Sequence, residues 1–289
     1  MTVAGITPYM PHERTRRRIL GTLGTVTVAT LGGCTNVVDR ASNDDGTTAT
    51  GGTRRPTAAS TTTRTDRPER TSTADETTTG ESDGWSTESV TVEPPEVSYA
   101  GVPVPDGESQ YARMGHDDAS VTATLYGNWK CPYTREFVLT DLPTVVERYV
   151  EPGQVALEFR AVAYRSGEPF LGPDAPRAAR AGLAVWDVDP ASFWSYFSYV
   201  FGNQPQERYE WAQPSLLLRF AESSGVSSRR TVRQRLTNGS YDDPVRRTVT
   251  AAAERGVWSV PRVAVDGRVT APTVDFEETL SQLDEAVQN

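Results

Sequence analysis

The sequence has few of the side chains that bind metal ions or build disulfide frameworks. It contains two histidines and two cysteines, and Lys130 is the only lysine among its 29 basic residues. Neither a histidine-rich metal site nor a Cys-His nucleophile pair is therefore supported. Long apolar runs are also missing, because the run from Ile19 to Leu31 is too short to cross a bilayer as a helix.

Acidic residues outnumber basic ones, which gives the chain a formal net charge of -9. A protein of this charge is repelled by phosphate groups, so nucleic acid is not an expected partner. The acidic, lysine-poor composition, rich in arginine and threonine, resembles that of secreted proteins from salt-loving archaea. A simpler interpretation stays open, in which a solvated acidic surface only maintains solubility.

The first 34 residues have the order of an export signal. Residues 15–20 (Thr-Arg-Arg-Arg-Ile-Leu) resemble the twin-arginine motif, the apolar run follows, and residues 31–34 (Leu-Gly-Gly-Cys) resemble a lipobox. We therefore expect export through the twin-arginine route, lipidation of Cys34, and a domain held to the outer face of the cell membrane. Lipidation would consume Cys34, so a disulfide between Cys34 and Cys131 is not expected.

A long polar segment separates this signal from the rest of the chain. Residues 35–92 are rich in Thr and Ser and have few aliphatic side chains to offset the entropy of ordering, so we expect a disordered tether. The expected organisation is a signal over residues 1–34, a tether over 35–92 and one folded domain over 93–289.

Hydrophobic periodicity predicts a mixed domain. Residues 97–104, 121–126 and 155–163 are strand candidates, and helical spacing runs from 132 to about 150. Helices are predicted near 175–186, 191–202, 213–223, 228–236 and 242–255. A hairpin turning at Asp266-Gly267 and a closing helix over 274–287 follow.

Three segments give this order of elements a family resemblance. Residues 125–134 (LYGNWKCPYT) resemble the strand end and Cys-Pro-Tyr-Cys site of the DsbA-like thiol-disulfide oxidoreductases. Residues 193–204 resemble that family's FW.Y...LF.NQ stretch, and residues 256–267 resemble its GV.GTPT...NG segment, whose proline is cis. The resemblance covers residues 97–288 and implies an α/β fold class: a thioredoxin fold with an all-helical insertion at about 175–255.

The resemblance makes Cys131 the expected nucleophile, at or next to the N-cap of a helix that has Pro132 in its first turn. A helix N-terminus stabilises the thiolate that attacks disulfides, and Lys130 adds a cation. The family's second cysteine is Thr134 here, which could hydrogen-bond to the sulfur but cannot expel a substrate. An external thiol, a second substrate cysteine or a partner's cysteine must then resolve the mixed disulfide.

The resemblance also places Pro261 opposite Cys131, where a cis bond leaves the preceding backbone free to pair with an extended substrate. The catalytic set is therefore expected to be Cys131, Thr134 and Pro261, with no cofactor and no metal. The residues expected to line the substrate groove are Trp129, Lys130, Pro132, Tyr133, Val260 and Arg262.

Two classes of function fit these expectations. The first is extracytoplasmic disulfide exchange or isomerisation on protein substrates through Cys131. The alternative is a redox-inactive module that binds or chaperones extended polypeptide, in which Cys131 is an inert buried residue.

Overall fold

A computed structural model describes residues 85–289, which contain one five-stranded sheet, a two-stranded hairpin and eight α-helices. The strands are β1 (Arg113–Met114), β2 (Val121–Gly127), β3 (Val155–Ala161), β4 (Tyr164–Arg165), β5 (Glu168–Pro169), β6 (Arg262–Val265) and β7 (Arg268–Thr270). The helices are α1 (Pro132–Thr140), α2 (Leu142–Val145), α3 (Asp174–Val188), α4 (Pro190–Gly202), α5 (Pro214–Ser223), α6 (Arg229–Thr237), α7 (Asp242–Glu254) and α8 (Phe276–Gln288).

Strand β2 lies at the centre of the sheet, whose order is β1-β3-β2-β6-β7. It pairs in parallel with β3 and antiparallel with β6, so both of its edges are hydrogen-bonded. Parallel neighbours need a crossover, and here α1 and α2 supply it. The carboxyl end of β2 therefore opens directly into the loop that carries Cys131.

The predicted helical insertion is confirmed. Helices α3 to α7 occupy residues 174–254, between β5 and β6, and the only strands after them are the predicted hairpin pair β6 and β7. Helix α4 supplies more buried aromatic side chains to the main core than any other element, because Phe193, Trp194, Phe197 and Phe201 recur at helical spacing and are all buried.

Two predicted elements differ in the structure. Residues 97–104 form no strand; the backbone N–H of Tyr99 donates to the Ser198 hydroxyl on α4, at 2.8 Å, rather than to a neighbouring strand. The helix predicted over 132–150 is divided at Asp141, and a π-helical turn over Val146–Val150 completes it. Pro143 explains the division, because it has no N–H to continue the hydrogen bonds of α1, whereas in the first turn of α2 that N–H is not needed.

The folded domain begins earlier than expected. Residues 85–92, assigned to the tether by composition, lie against the helical insertion: the Trp85 ring stacks on Tyr209 with centroids 4.5 Å apart, and Arg219 donates to the carbonyls of Thr87 and Val90. The expected disorder is therefore wrong for residues 85–92. The signal, Cys34 and the rest of the tether lie outside the described residues.

Within residues 85–289, no helix combines the length and apolar character that a membrane span requires.

Candidate active site

Cys131 is the N-cap residue of α1 and Pro132 is its first helical residue, as expected. Its backbone N–H donates to the Asn128 carbonyl at 3.0 Å, and its own carbonyl accepts the first bond of the helix from the N–H of Arg135 at 3.0 Å. The loop of residues 127–131, hereafter the Cys131 loop, therefore delivers the thiol to the positive end of the helix dipole.

The sulfur lies beside the cis-proline segment. Cys131 Sγ is 3.7 Å from the carbonyl oxygen of Val260, to which the thiol can donate, and the Val260–Pro261 peptide bond is cis. The antiparallel pairing of β2 with β6 explains this proximity, because Tyr126 is opposite Arg262 in the register. The expected juxtaposition of Cys131 and Pro261 is confirmed, whereas their catalytic roles stay a prediction.

The thiol is 4% exposed and belongs to a small apolar cluster separate from the main core. Val162, Val257 and Val260 belong to this cluster, and Phe170 and Leu171 pack against it only partly buried. Cys131 is therefore buried in a small cluster of its own beside the cis-proline segment, and not in the main core.

Thr134 does not make the expected hydrogen bond to the sulfur. It is fully buried, and its hydroxyl accepts from the backbone N–H of Asn128 at 3.2 Å. Its methyl group packs on Gly127, where an added Cβ would lie only 2.8 Å away. Thr134 thus stabilises the Cys131 loop, and a catalytic role through the sulfur has no contact in the structure to support it.

Lys130 and Trp129 do not line a substrate groove, which corrects that prediction. The Lys130 side chain is 4% exposed, and its ammonium lies 3.1 Å from the fully buried carboxylate of Asp174, at the start of α3. Asp174 also accepts from the Trp211 backbone N–H at 2.7 Å and pairs with Arg177 at 3.2 Å. The cation adjacent to Cys131 in sequence is therefore neutralised by an internal ion pair.

Trp129 is the centre of the main aromatic core. Its ring lies 5.2 Å from both Phe159 and Phe201, measured between centroids, and it rests on α3 at Gly182, where an added Cβ would be 2.6 Å from the indole. Trp129 thus anchors the Cys131 loop to the helical insertion. A second anchor is Gln204, whose side-chain amide donates to the Trp129 carbonyl at 2.6 Å.

The other predicted groove residues differ in exposure. Tyr133 is 62% exposed and Pro132 is also exposed. Val260 and Pro261 are instead buried, and the Val260 carbonyl contacts the Cys131 sulfur. Arg262 is partly exposed and holds the segment together, donating to the Pro261 carbonyl at 2.7 Å and to the Ser259 hydroxyl at 2.5 Å.

Three functional features escaped the sequence interpretation. Trp258 is 68% exposed and lies two residues before Val260. Its position just before the expected cis-proline could have identified it as a surface residue of the site. Asn128 is buried and ties the Cys131 loop to the hairpin, donating to the carbonyls of Val162 and Phe170 and accepting from the Lys130 N–H. Asp174 carried no signal, because only the fold brings it to Lys130.

Among the described residues, no group of three or more His, Cys, Asp or Glu side chains is arranged to hold a metal ion.

The family model described as Thioredoxin matches residues 108–285, well over half of the chain. The chain belongs to the thioredoxin family. The match includes the Cys131 loop, the whole helical insertion and the cis-proline segment, so the family assignment and the site rest on the same part of this thioredoxin domain.

Curated relatives of this thioredoxin domain come from Bacillus. Disulfide bond formation protein D of Bacillus subtilis (strain 168) is 28% identical over 165 residues, which cover 57% of this chain and 72% of that protein. Probable disulfide bond formation protein D of Bacillus anthracis is 29% identical over 176 residues, covering 61% and 77%.

Solved structures show the same architecture. Oxidised BdbD from Bacillus subtilis superposes with a TM-score of 0.57 at 25% identity and covers 66% of this chain and 99% of its own. DsbA of Chlamydia trachomatis, at 17% identity and a TM-score of 0.51, shares the fold and covers 62% of this chain and 94% of its own. The expected DsbA-like arrangement, an α/β thioredoxin fold with an all-helical insertion, is confirmed.

Proposed function

We propose that this protein catalyses thiol-disulfide exchange or isomerisation on protein substrates outside the cytoplasm, through the single thiol of Cys131. The observation that carries the proposal is the position of that thiol, at the N-terminus of α1 and 3.7 Å from the carbonyl that precedes cis-Pro261. The names of its Bacillus relatives, disulfide bond formation proteins, support the same chemistry.

The reaction proceeds in two balanced steps. The Cys131 thiolate attacks one sulfur of a substrate disulfide, a Cys131–substrate disulfide forms, and the second substrate sulfur leaves as a thiolate that takes up a proton. A second thiolate, from the substrate or from an external thiol, then attacks the substrate sulfur of this mixed disulfide and releases Cys131. When the substrate supplies that thiolate, no net oxidation occurs and the disulfide is rearranged.

The local structure suits a one-thiol cycle. The position of the family's second cysteine holds Thr134, whose hydroxyl is engaged by Asn128, and Cys131 is the one free cysteine among the described residues. The mixed disulfide is therefore not expelled from within and persists until a thiol arrives. The partners of this function are substrates with thiols or disulfides and an external reducing or resolving thiol.

The test compares full-length wild-type protein with Cys131→Ala and Cys34→Ala, using a scrambled disulfide protein as substrate. We expect Cys34→Ala to restore native disulfides at the wild-type rate and Cys131→Ala to fall to the uncatalysed rate. A second readout is a substrate adduct on Cys131 that a reductant reverses. If Cys131→Ala raises the refolding yield as much as wild type does, disulfide exchange is wrong and the redox-inactive binding function stands.

We further propose export and lipid anchoring through Cys34, on the strength of the twin-arginine and lipobox patterns. The measurement is membrane fractionation of cells expressing wild-type protein or Cys34→Ala, with mass analysis of the N-terminal peptide. Recovery of both proteins in the same fraction, with Cys34 unmodified, contradicts the anchor without affecting the proposed chemistry.

A further inference from the structure

A groove runs beside the thiol, and we name it the cis-proline groove. Its walls are Tyr164 and Phe170 of the β4–β5 region, Ala252 near the end of α7, and Trp258 and Val260 of the cis-proline segment. Their side chains enclose a small cavity of about 80 Å³. Val260 is both a wall residue and the carbonyl partner of Cys131 Sγ, so the groove and the thiol share one residue.

The rim of this groove is unusually basic for an acidic protein. Arg165 is a wall residue whose guanidinium lies 4.6 Å from the Phe170 ring centroid, and the guanidinium of Arg246 lies 5.7 Å from the ring of Tyr164. Arg255 directly follows α7.

Arg262 extends this rim on the other side of the cis-proline. It follows Pro261, and burial lowers the pKa of its guanidinium without removing its charge near neutral pH. Arg165 is thus part of the groove wall, and Arg246 and Arg262 each contact a wall residue, Tyr164 and Ser259 respectively.

These arginines have no carboxylate partners within the described part of the chain. Arg165, Arg246, Arg255 and Arg262 form none of the ion pairs found in residues 85–289, a property that they share with arginines elsewhere, such as Arg233.

The acidic residues nearest to these arginines in sequence and strand register do not neutralise them through ion pairs. Glu168 is the strand partner of Arg165, and Glu254 precedes Arg255, but both side chains are exposed and neither forms an ion pair. No Asp or Glu belongs to the groove wall. The positive charge of these arginines is thus not neutralised by an ion pair within the described residues, and Arg262 uses its guanidinium to bond to Pro261 and Ser259.

We propose that the cis-proline groove selects extended substrate segments that carry Asp or Glu beside the reacting cysteine. Guanidinium groups bind carboxylates through paired hydrogen bonds, and the exposed indole of Trp258 offers apolar contact next to them. This substrate preference rests on the proposed exchange function and names its substrate class. Because the net charge is -9, the chain as a whole repels acidic peptides, so a preference for them requires a local basic region such as this one.

The test uses short peptides that differ only at the two residues flanking one cysteine, which are Asp in the first, Asn in the second and Lys in the third. Each cysteine carries the same chromogenic thiol in disulfide linkage. Attack by Cys131 joins the peptide sulfur to Cys131 and releases the chromogenic thiolate, whose absorbance gives the rate. Every rate is divided by the rate with a small neutral thiol, which removes the intrinsic reactivity of each peptide.

We expect the Asp peptide to react roughly 3- to 10-fold faster than the Lys peptide at low salt, with the Asn peptide between them. The Arg165→Glu, Arg246→Glu double variant should lose or reverse this order. Arg233→Glu is the matched control, because Arg233 is exposed, forms no ion pair and lies on α6 away from the groove wall.

The outcomes separate the two proposals. If no peptide reacts with Cys131, the exchange function fails; if all three react at equal normalised rates, exchange stands and the acidic preference is wrong. If Arg233→Glu changes the order as much as the groove variant does, the preference belongs to the overall charge and not to the groove. Thermal melts verify folding, and Arg165→Gln, Arg246→Gln repeats the test without reversed charges.

Discussion

The pair formed by Lys130 and Asp174 is the most demanding polar contact of the domain, because both side chains are withdrawn from water. Its two members are not equivalent. Asp174 keeps the Trp211 N–H and Arg177 if Lys130 is removed, whereas Lys130 has no other carboxylate among the described ion pairs. The unpaired ammonium should therefore be the costlier defect.

We expect Asp174→Asn to lower the free energy of unfolding by about 3–5 kcal/mol and Lys130→Met by about 1–3 kcal/mol. Urea denaturation of both variants and of the double variant measures these losses. The double variant should lose less than the sum of the two, because it contains no isolated buried ammonium. Equal losses for the single variants, or strict additivity, would show that the pair is not what stabilises this region.

Tyr126 offers the opposite case, a buried hydroxyl for which no partner in the described structure has hydrogen-bonding geometry, although the Arg255 guanidinium lies near it. Burial raises the pKa of this phenol, so it remains protonated. Tyr126→Phe should change the free energy of unfolding by less than about 1 kcal/mol, or increase it, because no bond is lost.

The matched variant is Tyr149→Phe, which removes a hydroxyl that donates to Asp284 at 2.8 Å. It should cost about 0.5–1.5 kcal/mol in the same denaturation experiment. A larger loss for Tyr126→Phe than for Tyr149→Phe would mean that the Tyr126 hydroxyl has a partner.

At the scale of elements, one carboxylate joins two parts of the helical insertion. Asp189 caps α4 by accepting from the Ser192 N–H at 3.2 Å, and it also accepts from the N–H and hydroxyl of Ser227, both at 2.9 Å, in the loop before α6. Burial alone would raise the pKa of Asp189, but the hydrogen bonds from Ser227 and Ser192 outweigh it and hold the pKa below its ordinary value.

A lowered pKa in the folded state stabilises the protein above the unfolded-state value of about 3.9, and this contribution is lost as the pH falls through the folded-state value. We expect Asp189→Asn to cost about 0.5–2 kcal/mol near neutral pH and progressively less below about pH 4. Denaturation curves across pH measure this difference. Asp275→Asn is the comparison at neutral pH, because the Asp275 carboxylate accepts only from the Glu278 N–H and its loss should cost less. If the difference in unfolding free energy between wild type and Asp189→Asn does not decrease in acid, the proposed role of the Asp189 carboxylate is wrong.

The long periodic elements were predictable because their signal is local. Helices α3 to α7 and the β6–β7 hairpin follow from apolar spacing and from Asp266-Gly267, with boundaries close to those expected. Strand β1 and the β4–β5 hairpin were missed because each strand has two residues and is defined by pairing, such as that of Arg113 with Glu158. Residues 97–104 had strand composition but their backbone bonds to a helix.

At the scale of the whole molecule, the family resemblance of the Cys131 and cis-proline segments predicted which residues lie together, but not which of their side chains are exposed. Cys131, Pro261 and Val260 come together as expected, because β2 and β6 are neighbours in any such sheet. Trp129 and Lys130 were assigned to a groove because they flank the cysteine in sequence. The helical insertion buries both, and contacts from α3 and α4 have no counterpart in local sequence.

The charge distribution leads to opposite salt effects on stability and on substrate preference. Acidic residues repel one another over the chain as a whole, whereas the cis-proline groove is proposed to attract acidic substrates. Raising the ionic strength from 0.01 to 0.15 M shortens the Debye length from about 30 to about 8 Å and weakens both interactions. The free energy of unfolding in urea should therefore rise, while the rate preference for the Asp over the Lys peptide should fall, roughly two- to threefold.

The Asn peptide is the internal control, since its normalised rate should not depend on salt. An acidic preference that persists at high salt would indicate that contacts other than charge select the substrate. A stability that falls with salt would instead show that the ion pairs of the surface, such as Arg148 with Asp284, outweigh the excess negative charge. The salt dependence of the rate preference thus reports the charge of the groove, and the salt dependence of the free energy of unfolding reports the charge of the whole protein.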